Sequence, residues 1–333
     1  MTLYRNIIRE AWQLAWQKKF LWFFGLFAVL LGNGGEYEIL FQNIDAVSNK
    51  QTLIYNLENI SKTGQLKIYW DNIVSYFTNY TASSIGILLL ALIIFVVIIW
   101  LVVISQSALI DSTLKIKAGK KANLETGFQT GRKYFTPIFI LNLVSKFLIY
   151  ALLFLIGIPL VYLFIEKESW GWNIAFSIIS FIILVPLSIV VSFVIKYASA
   201  FVIDKGQTIG IALKSGWKLF TGNWLITIEM AFVILGINFV LGIALFIALT
   251  IISVPFFLLG IIFYLLGSGV GLYIIGLILV LVLVIAGFLA GALIATFQYI
   301  SWTLLYKKLL ESKNTSKIVR LFSRLPNYVG KTS

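Results

Sequence analysis

The sequence predicts an all-α integral membrane fold. It is a six-span helical bundle in a pseudo-threefold repeat, each unit an amphipathic elbow helix followed by a helical hairpin. Three observations carry this. Hydrophobic residues make up 60% of the 333-residue chain and charged residues only 12%, against roughly half and a quarter in soluble proteins. Residues 230–306 are 77 consecutive positions without an Asp, Glu, Lys or Arg. Three stretches of one grammar precede the odd-numbered apolar runs. The chain also has no Cys and no His. That removes disulfides, thiolate nucleophiles, Ser-His-Asp triads and the common zinc sites.

A bilayer core needs about 20 apolar residues per helical crossing. The first expected span, 16–32, is the weakest, because its apolar core covers only residues 20–31 before Gly32-Asn33-Gly34-Gly35. A signal peptide would also put a short apolar core behind basic residues. The residues ahead of it are already helix-patterned and no small-x-small cleavage site follows, which favours a retained span. An outer insertion, 33–83, comes next. It has an apolar-periodic stretch at 66–77 and sequons at Asn59-Ile60-Ser61 and Asn79-Tyr80-Thr81. The second span, 84–105, is almost purely aliphatic. The third, 135–160, contains Lys146 and Pro159, and the fourth, 170–197, contains Pro186. Both prolines read as kinks. The charge-free block divides into spans 224–250 and 271–306, with cuts at Ser253–Pro255 and at Gly267-Ser268-Gly269, since Pro and Gly punctuate helices. Segment 253–267 between them reads as a re-entrant, kinked or interfacial piece on the outer side.

Charge gives the orientation. With an inside amino terminus and six crossings, 21 of the 26 basic residues and six of the 13 acids fall inside or within a span's inner end, as the positive-inside tendency requires. A seventh crossing at 253–267 would export a tail with seven basic residues, so six crossings with both termini cytoplasmic is the expectation. The net charge of +13 tracks this sidedness and points to anionic lipid rather than nucleic acid.

The repeat lies in residues 9–20, 124–135 and 213–224. Setting Phe20, Phe135 and Trp224 in register aligns Ala11, Thr126 and Ser215, all small. Trp12 and Trp16, Phe128, and Trp217 with Lys214 and Lys218 mark these segments as interfacial elbow helices. Elbows of the form Ala/Ser-x₀₋₁-Trp-x₃-Phe/Trp, and a last span closing on Ser301-Trp302-Thr303-Leu304-Leu305-Tyr306-Lys307-Lys308, resemble a broad group of poorly characterised prokaryotic membrane proteins. The group includes the membrane domain attached to some glycerophosphodiester phosphodiesterases. The resemblance implies a six-span fold in a prokaryotic cytoplasmic (inner) membrane and brings no activity, because the phosphodiesterase chemistry belongs to a separate soluble domain.

Charges within a span are costly and default to functional hypotheses. Lys146 and Glu229, with Asn142 and Asn238 as their nearest polar companions in sequence, form a candidate intramembrane polar site. Its sharp reading is an ion pair bounding a cavity for a lipid headgroup or ion. Its plain reading is Glu229 at the inner interface and Lys146 as an interhelical tether. Gly287, Gly291 and Ala295 form a small-xxx-small stripe suited to helix packing. No catalytic residue, cofactor site or metal site is expected. Gly267-Ser268-Gly269-Val270-Gly271 is not a nucleophile elbow, and the carboxylate pairs Glu36/Glu38 and Glu166/Glu168 fall in outer loops. The sequence thus points to a non-enzymatic scaffold or lipid-interacting membrane protein, with anionic lipid and a membrane-protein partner as its expected contacts. A small transporter or transporter subunit using Lys146 and Glu229 is the alternative, and an intramembrane Ser–Lys hydrolase the third class.

Overall fold

The computed structural model describes residues 2–31, 82–165 and 170–311. The outer insertion, apart from the first residues of the helix that follows it, lies outside the described residues, as do Glu166 and Glu168. The described residues form α-helices, plus one 3₁₀ turn at Val29–Leu31. In order these are α1 (Thr2–Gln17), α2 (Phe20–Ala28), α3 (Ala82–Lys117), α4 (Leu124–Lys133), α5 (Phe135–Ile165), α6 (Trp170–Lys205), α7 (Ile209–Gly222), α8 (Trp224–Leu265) and α9 (Gly269–Glu311).

Five of these helices are long and apolar enough to cross a membrane: α3, α5, α6, α8 and α9. All five overrun the expected spans. α3 continues to Lys117 instead of stopping near 105, because Ser105, Ser107, Ala108, Leu109, Ser112 and Thr113 are buried on it. α5 and α6 likewise run on to Ile165 and Lys205. Pro186 sits inside α6 without ending it.

The cut expected at Ser253–Pro255 is absent, and residues 253–265 are the last turns of α8, which runs unbroken through Pro255. A proline removes a single i→i−4 hydrogen bond, and an apolar run gives its neighbours no better partner than the helix itself. Nearby hydroxyls are satisfied within the helix. Thr250 donates to the Phe246 carbonyl at 2.9 Å and Ser253 to the Thr250 carbonyl at 2.7 Å. The turn expected at Gly267 is present. Gly267 has φ +66°, and the Ser268 N–H returns to the Phe263 carbonyl at 3.0 Å, the six-to-one bond of a glycine-terminated helix. Ser268 then caps α9 by accepting from the Gly271 N–H at 3.2 Å. Gly119 closes α3 the same way, with φ +70° and Lys120 N–H bonded to Lys115 O at 2.8 Å.

The span expected over 16–32 is also divided. α1 ends at Gln17, and α2 holds nine residues before the 3₁₀ turn. At 1.5 Å per residue these twelve positions cover roughly 18–20 Å, short of a bilayer core of about 30 Å.

The chain forms two compact units. The first comprises residues 1–33, 102–141 and 193–333. Its core is dense: Leu21 and Phe24 of α2, Leu109 of α3, Ile138 of α5, Tyr197 and Ala198 of α6, Met230 and Ile234 of α8, and Phe297, Leu305 and Tyr306 of α9 are all buried. α9 is its spine, packing along α1, α2 and α8. The second unit comprises residues 34–101 and 142–192. Within it Ile149 of α5 packs on Val185 of α6, with Leu184, Ile189 and Val191 around them. Most other large side chains here, such as Ile87, Phe95, Phe147, Phe154 and Ile182, are exposed. So are the distal halves of α8 and α9, from Phe239 to Leu265 and from Val270 to Leu289. Apolar surface this continuous matches lipid rather than water.

Candidate functional site

The residues that organise this chain lie on three short helices, each broken one or two residues before the next helix. α1 stops before Lys18–Lys19, α4 before Tyr134 and α7 before Asn223. Local chemistry fixes each break. At the first, the Trp22 indole N–H donates to the Ala15 carbonyl at 2.6 Å, pinning α2 back against α1. At the second, Asn123 starts α4 in an extended conformation and accepts from Thr126 N–H at 2.8 Å, while the Thr126 hydroxyl accepts from Asn123 N–H at 3.1 Å. Glu125 in the first turn and Arg132 and Lys133 in the last oppose the helix dipole correctly. At the third, the Thr227 hydroxyl donates to the Asn223 carbonyl at 3.0 Å. Its single proton is thereby used, so Tyr197 donates in the 2.8 Å bond between Tyr197 Oη and Thr227 Oγ1.

Small residues hold the short helices in place. Ala11 and Ala15 of α1 are fully buried, and α1 lies along α9. Gly127 and Gly131 of α4 meet α3, where a Cβ on Gly127 would sit 3.3 Å from the Ala108 Cβ and one on Gly131 only 2.6 Å from the Ile104 carbonyl oxygen. A Cβ on Gly216 of α7 would lie 2.8 Å from the Val194 carbonyl oxygen of α6, with Ala212 buried one turn earlier. All three are four-residue small-small spacings, which let backbones approach closely. In α4 and α7 the buried small residue therefore lies one position beyond Thr126 and Ser215, the residues aligned with Ala11 by the register set on Phe20, Phe135 and Trp224. The first break is two residues long and the others one, so counting back from the aromatic slips. Thr126 serves the capping box instead, and Gly127 and Gly216 take the buried position. The four-residue spacing was visible in the sequence at Gly127/Gly131 and Ala212/Gly216.

The predicted packing stripe on α9 is shifted as well. Ala295 is buried, a Cβ on Gly291 would meet Val29 across an ordinary contact, and one on Gly287 would meet no neighbouring element within 4 Å among the described residues. The close approach falls on Ala292 and Thr296, whose carbonyl and hydroxyl a Cβ on Gly25 of α2 would strike. The Thr296 hydroxyl lies 2.7 Å from the Ala292 carbonyl and 3.2 Å from that of Leu21, tying α9 to α2.

The polar residues predicted within the spans fall as follows. Glu229 of α8 accepts a hydrogen bond from the Tyr4 hydroxyl of α1. Asn238 lies nine residues further along α8, about 180° around it, so the two occupy opposite faces. Its amide oxygen is buried without a hydrogen-bond partner among the described residues. Lys146 and Asn142 sit one turn apart on α5, with the Lys146 ammonium 5.8 Å from the centre of the Tyr150 ring.

The outward faces of the short helices are cationic and aromatic. On α1 Arg5, Arg9, Trp12 and Trp16 are exposed; on α4 Arg132 and Lys133; on α7 Lys214, Trp217 and Lys218. Phe128 is half-buried. Three charged contacts tie helix ends together. Lys117 of α3 meets Glu10 of α1 at 2.5 Å. Lys115 lies 2.6 Å from Asp111 and donates to Thr130 of α4 at 3.3 Å. Tyr306 donates to Asp204 at 3.1 Å with Lys307 at 3.8 Å. Among the described residues no group of three or more His, Cys, Asp or Glu could hold a metal ion.

These features define a class: among the described residues, an all-helical chain with five helices long and apolar enough to cross a membrane and three short amphipathic helices bound to their ends. No family model, curated protein or solved structure matches the chain.

Proposed function

We propose that this is a multi-pass protein of the cytoplasmic (inner) membrane of a prokaryote, with six crossings, pseudo-threefold architecture and both termini in the cytoplasm. It works without catalysis, as a scaffold that engages anionic lipid and a membrane-protein partner. The carrying observation is the construction of the three short helices. Each buries a small-residue face against the chain and turns Arg or Lys outward, with exposed Trp on two of them. Such helices lie in the headgroup layer, where basic residues attract anionic lipid and indoles anchor. α2 would be the sixth crossing, its shortfall met by its neighbours. The resemblance to the prokaryotic membrane group supports the same six-span reading.

The transporter alternative has one observation in its favour, the unpartnered Asn238 amide oxygen. Against it, Glu229 and Asn238 lie on opposite faces of α8, and Glu229 is engaged by Tyr4. Reconstitution tests the proposal: the protein should associate preferentially with phosphatidylglycerol over phosphatidylcholine, and the preference should weaken with salt. Equal association with both lipids removes the lipid part of the reading.

A further inference from the structure

The geometry points to a defined anionic-phospholipid site on the outer face of α1, made by Arg5, Arg9, Trp12 and Trp16. It rests on the lipid-engaging reading above and narrows it from a diffuse basic surface to one helix face. At 100° per residue these four side chains fall within about 60° of the helix circumference, and along roughly 16 Å of its axis. All four are exposed, Trp12 at 37% and Trp16 at 54%. The opposite face is fixed, with Ile7, Ala11 and Ala15 buried. Tyr4 is bonded to Glu229 of α8 and Glu10 is paired with Lys117 of α3. α1 is thus held by several neighbours and cannot roll, so the stripe is presented in one orientation.

The composition of the stripe names its ligand. Arg5 and Arg9 make no ion pair among the described residues, and the one acid on α1, Glu10, is neutralised by Lys117. Two guanidinium forks one turn apart, about 6 Å along the axis, match phosphate oxygens bidentately. The two indoles beyond them stack nearly parallel at 6.3 Å and 13°. They are buttressed by Phe297 at 5.7 Å behind Trp12 and by Trp22 at 5.7 Å behind Trp16. Unlike Trp22, whose N–H is spent on Ala15, neither indole N–H is bonded among the described residues. A phosphate over the arginines, a glycerol backbone at the indole edges and acyl chains along the rings satisfy every group on the stripe. α7 offers Lys214, Lys218 and Trp217, point charges without a guanidinium fork, and so serves as the comparison.

The chain has no native Cys, which permits a direct test on the full-length protein. A fluorophore on Gln13→Cys, beside the stripe, is read in vesicles by quenching from phosphatidylglycerol or phosphatidylcholine carrying a nitroxide on the acyl chain. A second preparation carries the fluorophore on Thr221→Cys of α7. Phosphatidylglycerol should quench the α1 reporter at lower mole fraction than phosphatidylcholine. Arg5→Gln with Arg9→Gln should cut that preference by on the order of 10- to 25-fold, near fivefold per arginine. Lys214→Gln with Lys218→Gln should leave it within twofold. An unchanged α1 preference in the arginine variant overturns the site, as does equal loss in the two double variants. A phosphatidylglycerol preference at α7 with none at α1 overturns the site and leaves the broader reading intact. Preference at neither reporter overturns both.

Discussion

Gly131 is where the packing account commits most sharply. Replacing it with Ala places a methyl group 2.6 Å from the Ile104 carbonyl oxygen and 3.0 Å from its Cα. The former is about 0.8 Å short of the 3.4 Å at which ordinary contact begins. Both atoms are backbone, so no side-chain rotation relieves the overlap, and α4 must lift from α3. Overpacking of this kind costs about 1–3 kcal/mol. Removing a helix-interior glycine returns up to about 1 kcal/mol of propensity. The expected net is a loss of about 1 kcal/mol for Gly131→Ala and about 2–3 kcal/mol for Gly131→Val. Gly236 of α8 is the internal control, because nothing lies within 4 Å of its missing Cβ. Gly236→Ala should be neutral or stabilising by several tenths of a kcal/mol. Reversible unfolding in mixed micelles, followed by circular dichroism, measures all three. If Gly131→Ala proves as benign as Gly236→Ala, the close approach of α4 to α3 is not a stabilising feature and the reasoning fails.

Tyr4→Phe should destabilise by about 1–3 kcal/mol, since it removes the hydroxyl that donates to the half-buried Glu229 carboxylate. Adding Glu229→Gln should recover part of that loss, and a double-mutant cycle with no coupling would reject the contact. Tyr197→Phe should cost about 0.5–1.5 kcal/mol in the same assay. It removes only the donor to Thr227, whose own proton stays on the Asn223 carbonyl. The Lys117–Glu10 pair is over one-third exposed on both sides, so its coupling energy should fall below about 1 kcal/mol and shrink further in high salt. A larger, salt-insensitive value would mean the pair is shielded from water.

Helix class and approximate position were legible in the sequence because apolar length is itself the signal. Residues 85–104 or 271–306 admit no other economical structure in lipid. The ends were less so. Past Ile104, α3 turns from aliphatic to Ser, Gln and Thr, which reads as loop chemistry by composition. Those small polar side chains are buried because neighbouring helices come close there. Ser107 and Thr113 bond back to the carbonyls of Val103 and Leu109, a solution local to the helix. Pro255 misled for a related reason, since its breaking strength depends on what competes with the helix, and here nothing does. The glycines of α4 and α7 were visible as spacings but were masked by a register counted from the following aromatic. That register assumed equal breaks, and the break at Lys18–Lys19 is one residue longer. The polar site was the least legible part. Glu229 and Asn238 are neighbours by span, yet helical periodicity separates them, and a donor to Glu229 lies 225 residues away at Tyr4.

Whether the short α2 completes a crossing decides the architecture, and two single-cysteine proteins settle it. Gln13 on α1 and Glu311 at the end of α9 are both exposed. With six crossings between them, both Gln13→Cys and Glu311→Cys resist an impermeant maleimide in intact cells and label only after permeabilisation. Tyr264→Cys, at the exposed end of α8 next to the turn into α9, should label without it. Labelling of Gln13→Cys and Glu311→Cys from opposite sides would mean five crossings and would contradict the six-span, cytoplasmic-termini account.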